Sequence, residues 1–283
     1  MSVPTTDVFR ADLFKGKVAF VTGGGSGICK GMTEALMRHG CDAVIVSRTQ
    51  SKLDAAAKEL EAATGRTCLP VAADVRNPQE VIAAVDKAMA KFGRIDILVA
   101  GAAGNFLAPA EHLSYRAFSS VIDIDLKGTF NTIKACIEPL KQSKGCVINV
   151  TATLQYAGTP MQSHAASAKN GVDALTKVMA MELGRYGIRV NGIAPGPIEG
   201  TEGITRLMPP NMTADYINTI PVRRLGTIGD IEHATVYLAS EAGSYVTGTV
   251  LVVDGGSWMN QNTPMWMGLE MMLQQGPRSK AKM

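Results

Sequence analysis

Thr22-Gly23-Gly24-Gly25-Ser26-Gly27-Ile28-Cys29 lies between a short apolar run, 17–22, and a segment of helical periodicity, 27–40. Strand, glycine-rich turn and helix in that order make a dinucleotide-binding turn. Glycines permit the tight bend and let backbone N–H groups approach a pyrophosphate at the positive end of the helix. A glycine cluster alone carries little weight; its strand and helix flanks give it meaning. Gly23, Gly25, Ser26, Gly27 and Ile28 are therefore the candidate phosphate contacts.

Outward from this turn, β-branched runs at 42–48, 67–72, 95–100, 146–151, 189–194 and 249–254 alternate with helical patterns at 50–64, 77–92, 116–141, 164–186 and 229–241. Near-continuous apolar strands belong in a parallel sheet covered on both faces. The predicted class is α/β: one Rossmann-type, doubly wound parallel sheet of about seven strands with helices on both faces. Residues 1–283 read as a single domain, with a core at 15–256 and a Met- and Trp-rich extension at 257–283. Right-handed crossovers then place the ligand along the C-terminal strand edge.

Composition excludes several classes. A net charge of +3 without a basic, aromatic-interleaved block argues against a nucleic-acid partner. Five cysteines at 29, 41, 68, 136 and 146 form no close pair and no metal-ligand spacing, so they read as small core residues and no metal is expected. No apolar run reaches the ~20 residues of a membrane span, and the first sixteen residues lack the apolar stretch of a secretory signal. The final residues, Ala281-Lys282-Met283, match a conservative variant of the peroxisomal Ser-Lys-Leu address, which an import receptor reads.

The end of the second strand selects the cofactor. An acidic residue there would hold the adenosine ribose of NAD. Ser47-Arg48-Thr49-Gln50-Ser51-Lys52 instead offers a hydroxyl, a guanidinium and an ammonium, which suit a 2′-phosphate. Arg48 and Lys52 thus point to NADP(H).

These motifs, spread over 17–256, resemble the short-chain dehydrogenase/reductase family. Its glycine pattern, Thr-Gly-x-x-x-Gly-x-Gly, is met except that Cys29 replaces the last glycine, which implies slight splaying of helix from strand. Asp74-Val75 resembles the family's adenine contact. Gly101-Ala102-Ala103-Gly104 stands where the family has Asn-Asn-Ala-Gly, and Pro195-Gly196-Pro197-Ile198 resembles the segment that holds the nicotinamide carboxamide. The catalytic set departs further. Lys169 matches the lysine of Tyr-x-x-x-Lys, but Ala165 replaces the tyrosine. Ala152 stands where a serine polarises the carbonyl, with Thr151 and Thr153 hydroxyls on either side, and Asp125 replaces the family's Asn. The resemblance also implies a homo-oligomer, dimer or tetramer, with helices 116–141 and 164–186 meeting across a dimer contact.

Ketone reduction makes an alkoxide that needs a proton donor such as the missing phenol. Hydride addition to a conjugated thioester makes an enolate, which needs donors at oxygen and later protonation at carbon. A water held by Asp125 and Lys169 can deliver that proton. The bland alternative is a buried salt bridge replacing an Asn–Lys contact. Ala102-Ala103-Gly104-Asn105-Phe106, Thr151-Ala152-Thr153-Leu154, His164-Ala165-x-Ser167-Ala168-Lys169 and the stretch from Pro195 to Gly203 are similar to the family's 2,4-dienoyl-CoA reductases. That resemblance implies NADPH-dependent reduction of a 2,4-dienoyl-CoA to a trans-3-enoyl-CoA in peroxisomal β-oxidation of unsaturated fatty acids. Asp125 and Lys169 would be catalytic. Arg48, Arg76, Phe106, Ser114, Tyr115, Arg116 and Arg206 would contact the fatty acyl-CoA.

A 2-enoyl-CoA reductase and a catalytically silent NADP(H)-binding regulator remain the alternatives. His164, at i−5 from Lys169, points elsewhere on the helix and is expected to pack or hydrogen-bond. Trp258, Met259, Met265, Trp266, Met267, Met271 and Met272 are expected in core or interface packing, or along an acyl pocket.

Overall fold

The computed structural model describes residues 3–201, 203–204 and 213–260. Arg206, the methionines and tryptophan at 265–272 and the tripeptide 281–283 lie outside the described residues.

Seven strands form one parallel sheet: β1 (Val18–Thr22), β2 (Asp42–Ser47), β3 (Cys68–Ala72), β4 (Ile97–Ala100), β5 (Cys146–Val150), β6 (Arg189–Pro195) and β7 (Val250–Val253). Their spatial order is β3-β2-β1-β4-β5-β6-β7. Alternating side chains explain the two covered faces. Val18 and Phe20 join one buried cluster, beneath α3 (Pro78–Phe92), α5 (Gly128–Ser143) and α6 (Ser163–Leu183). Ala19 and Val21 join the other, beneath α1 (Gly27–Arg38) and α8 (Ile228–Ala239). A third cluster seats α2 (Gln50–Thr64) on Ala43 and Ile45. Pro70 sits in β3, at the sheet edge, where a missing N–H costs no ladder bond on the open side.

The strand readings hold to within two residues; the helix readings need two corrections. Residues 116–141 are not one uniform α-helix. They divide into α4 (Tyr115–Val121), a π-helical segment Ile122–Lys127, and α5. Two contacts accompany the widened turn. Thr129 donates its hydroxyl to the Asp125 carbonyl at 2.6 Å, competing with the helical ladder. Gly128 lets the helix press on Val75, whose Cγ2 would lie 2.6 Å from a Cβ there. Periodicity cannot separate i→i+4 from i→i+5 bonding over a single turn. A further short helix, α7 (Thr213–Thr219), occupies a stretch in which no helix is expected from the periodicity.

α8 opens with a reciprocal cap: Thr227 accepts from the Asp230 N–H, and Asp230 accepts from the Thr227 N–H at 2.7 Å. Arg224 pairs with the same carboxylate at 2.7 Å and holds it well below the usual carboxylate range. A depressed acid contributes stability above its unfolded pKa, and that contribution is lost as pH falls through the folded value. Thr227→Ala is expected to cost about 1 kcal/mol in urea unfolding at neutral pH. An unchanged midpoint would mean that the cap contributes nothing.

Candidate active site

The chain winds outward on both sides of β1 and β4, and the crevice at their C-terminal ends is where doubly wound sheets take ligands. Gly23 bends there with φ +75°, and a Cβ on it would lie 2.9 Å from the Gly101 carbonyl oxygen. Ser26, in extended conformation, is the N-cap of α1. Ser26 and Gly27 are exposed and Ile28 is partly covered, so the first N–H groups of α1 face the crevice mouth. This cradle fits a pyrophosphate: side-chain-free at Gly23 and Gly25, and positive at the helix end.

Cys29 is buried against the segment that follows β4. Its Sγ lies 3.6 Å from the Gly101 carbonyl and fills the space that a Cβ on Gly101 would need. The bulk that the family pattern carries as Asn on β4 is here carried as Cys on α1. Burial pushes the thiol up to about 11, so it stays protonated and serves packing. Gly101→Ala is expected to destabilise by roughly 1–3 kcal/mol through overpacking. Cys29→Ala in the same chain should restore most of that loss; additive losses in thermal or urea unfolding would contradict the shared space.

At the ends of β2 and β3 the structure gathers Arg48, Asp74 and Arg76. Arg76 donates to both Asp74 oxygens, with Nε at 3.0 Å and an Nη at 2.5 Å. That guanidinium, helped by Arg48, holds the Asp74 carboxyl below the usual range. Arg48 and Lys52 are exposed beyond β2. Val75 is buried, and its carbonyl accepts from Asn131 Nδ2 at 2.9 Å, which ties this strand end to α5. Beyond β6, Gly196 passes against Asp254, too close for any side chain. Ile198 is buried and bridges to Gly226, and its carbonyl accepts from the Thr201 hydroxyl at 2.7 Å.

The proposed substrate residues divide. Phe106 is 38 % exposed on the segment leaving β4. Ser114 accepts from the Ala117 N–H as the N-cap of α4. Tyr115 is 95 % exposed, and Arg116 is exposed beside it, on the outer surface of α4. A groove of about 680 Å³ lined by Arg76, Asp123, Leu126, Lys127 and Phe130 among others includes neither Asp125 nor Lys169.

Asp125 and Lys169 meet in the interior. Lys169 Nζ lies 3.2 Å from Asp125 Oδ2, with Asp125 only 1 % and Lys169 8 % exposed. The π-helical turn presents the carboxylate to α6, and Gly104 N–H donates to its Oδ1 at 2.7 Å. Lys169 also donates to the Val150 carbonyl at the end of β5, at 3.0 Å. Two of the three ammonium protons are thus placed, leaving one for a ligand. Ala165 is buried against Val121 and Ala168. Thr151 cannot stand in for the serine at 152, because its hydroxyl is committed to Asp173 at 2.7 Å.

Sequence reasoning missed three partners in this site. Two are backbone groups, Gly104 N–H and Val150 C=O, whose roles no side-chain pattern announces. The third is Asp173, buried with Thr151 and Gln155 on its oxygens. Its spacing of four from Lys169 puts both on one helix face, a signal that was available. Among the described residues no cluster of His, Cys, Asp or Glu could hold a metal, and no helix is long and apolar enough to cross a membrane.

Residues 23–257 match the family described as Enoyl-(Acyl carrier protein) reductase. The peroxisomal 2,4-dienoyl-CoA reductase [(3E)-enoyl-CoA-producing] of Danio rerio is 51 % identical over 256 residues, 90 % of this chain and 85 % of that protein. The protein of the same description from Rattus norvegicus is 52 % identical over 255 residues, 89 % of this chain and 87 % of its own. A solved short chain dehydrogenase from Bacillus anthracis superposes with a TM-score of 0.80 at 42 % identity, covering 88 % of this chain and all of the other. Sheet order, glycine turn and these similarities agree: the chain belongs to the short-chain dehydrogenase/reductase family, oxidoreductases that work with a nicotinamide cofactor.

Proposed function

We propose that this protein is an NADPH-dependent 2,4-dienoyl-CoA reductase that forms a trans-3-enoyl-CoA. The carrying observation is the buried Asp125–Lys169 pair at 3.2 Å, in a site with Ala165 where a phenol would stand. The names of relatives about half identical over nine-tenths of the chain support the substrate class. The basic Arg48 and Lys52 beyond β2 support NADPH over NADH.

The turn at Gly23, Gly25, Ser26, Gly27 and Ile28 would hold the pyrophosphate, Arg48 and Lys52 the 2′-phosphate, Asp74 and Val75 the adenine, and Lys169 the nicotinamide ribose. Gly101 and the Pro195, Gly196 and Ile198 rail would frame the nicotinamide. When bound, NADPH supplies a hydride to C5 of the dienoyl thioester. Asp125 and Lys169 then orient a water that protonates the resulting dienolate at C2, which leaves the double bond between C3 and C4. Asp125 suits this task because Gly104 and Lys169 fix both its oxygens, so the carboxylate needs no reorganisation during the reaction. Arg48, Arg76, Phe106, Ser114, Tyr115, Arg116 and Arg206 are proposed to rim the coenzyme A and acyl path.

Peroxisomal localisation is supported by the relatives' names, with import through the tripeptide 281–283. Assembly as a homo-oligomer is supported by apolar side chains left open on α4 to α6, notably Phe118, Phe130 and Met181.

The test compares NADPH oxidation with 2,4-hexadienoyl-CoA, 2-hexenoyl-CoA and no acyl substrate, repeated with NADH. Turnover confined to the diene with NADPH supports the proposal. Turnover with 2-hexenoyl-CoA instead moves the assignment to enoyl reduction, and NADPH binding without any turnover moves it to a silent regulator.

A further inference from the structure

His164 is completely buried at the start of α6, beside the Ala165 position and outside the catalytic pair. Its Nε2 lies 3.0 Å from the carbonyl oxygen of Phe106, 58 residues away in sequence. A carbonyl only accepts, so Nε2 carries the proton and donates it. The imidazole also stacks on the Phe106 ring, with centroids 4.3 Å apart and planes 27° from parallel. One side chain therefore grips Phe106 by both backbone and ring. The same two segments meet again where Ala108 N–H donates to the Met161 carbonyl at 3.1 Å.

The other anchor of this loop is catalytic. Gly104 N–H bonds Asp125, two residues before Phe106, so the chain from 104 to 108 is pinned at three points between Asp125 and the start of α6. Phe106 has one ring face on His164 and stays 38 % exposed. An aromatic side chain held by a stack and by its own backbone, and still partly exposed, is a rigid apolar wall. A ring fixed before binding loses little freedom when a ligand packs on it.

We infer that His164 is a positioning residue for the acyl substrate, fixing Phe106 as a preformed wall of the acyl-CoA path. The inference rests on the acyl-CoA reading above and names a residue that sets substrate affinity within that site. His164 acts through Phe106 and touches no reacting atom.

The clamp can be read without substrate. In Phe106→Trp protein, with the background of Trp258 and Trp266 subtracted, adding His164→Ala should increase acrylamide quenching of the new indole. Unchanged quenching would overturn the clamp. In steady-state kinetics His164→Ala should raise KM for 2,4-hexadienoyl-CoA by roughly tenfold, the worth of a lost aromatic contact, with a smaller change in kcat and none in KM for NADPH. Phe106→Ala should do the same, and the double variant should be no worse than either single one. Effects that multiply would mean independent roles and would overturn the inference. His164→Phe fills the same space and removes Nδ1, which is buried without a partner among the described residues, so it guards against a folding defect. It keeps the stack and loses the hydrogen bond, and its KM should fall between wild type and His164→Ala. Wild-type protein that fails to turn over the diene would sink the reductase reading, while the quenching result would still decide the clamp.

Discussion

Asp125→Asn is expected to lower kcat for a 2,4-dienoyl-CoA by roughly 100- to 10,000-fold, the range lost when a positioned acid–base group is removed. The amide is the carboxylate's isostere and keeps an oxygen for the Gly104 N–H that now bonds Oδ1 at 2.7 Å. What it removes is the charge facing Lys169 at 3.2 Å and an acceptor for the protonating water. NADPH affinity should be nearly intact, because the glycine turn and the basic end of β2 are untouched. Single-turnover absorbance at the nicotinamide band separates the steps. If the dienolate forms but is protonated slowly, hydride transfer survives while product release stalls. A wild-type rate in Asp125→Asn would return the pair to a plain buried salt bridge and remove the main support for the proposed mechanism.

Lys169→Met is expected to lose both activity and stability. The ammonium is bonded to the Val150 carbonyl and paired with Asp125, and both residues are almost wholly withdrawn from water. Removing one partner leaves an uncompensated buried charge, at a cost of about 3–5 kcal/mol. The thermal midpoint should fall clearly, KM for NADPH should rise if the lysine holds the nicotinamide ribose, and diene turnover should disappear. Adding Asp125→Asn should recover much of the stability, because the stranded carboxylate is gone, while turnover stays lost. A double variant that regains turnover would show that the pair serves only folding. A Lys169→Met protein as stable as wild type would show that the Gly104 N–H suffices to hold the buried carboxylate.

Fold class was legible because it depends on local patterns. Apolar runs buried on both faces, glycine at the first turn and amphipathic spacing between them leave few arrangements besides a parallel, doubly wound sheet. Lys169 was legible as a match to a family pattern, and Asp125 as a departure from it, Asp where Asn is usual, beside Ala165 where a tyrosine is usual. Arg76 was legible as a basic residue near β3, but its tight hold on Asp74 depends on a turn whose path the sequence does not reveal. The complementarity of Cys29 and Gly101 was invisible as such. Two separate departures from pattern, 72 residues apart, become one compensated exchange only when α1 and β4 are placed side by side.

By itself, then, the chain determined the order of strands and helices, the glycine-rich turn and the identity of the two charged residues. Those features follow from side-chain chemistry within a few neighbouring positions. Tertiary structure alone decided that the helix carrying Asp125 widens into a π turn, that Gly104 N–H and the Val150 carbonyl hold the pair, and that His164 grips Phe106. Backbone groups carry no residue identity, and contacts across 21 or 58 positions arise only from packing. A one-residue change in helical bonding turns a side chain by about a quarter-turn. Where that change falls along the helix is what the sequence could not state.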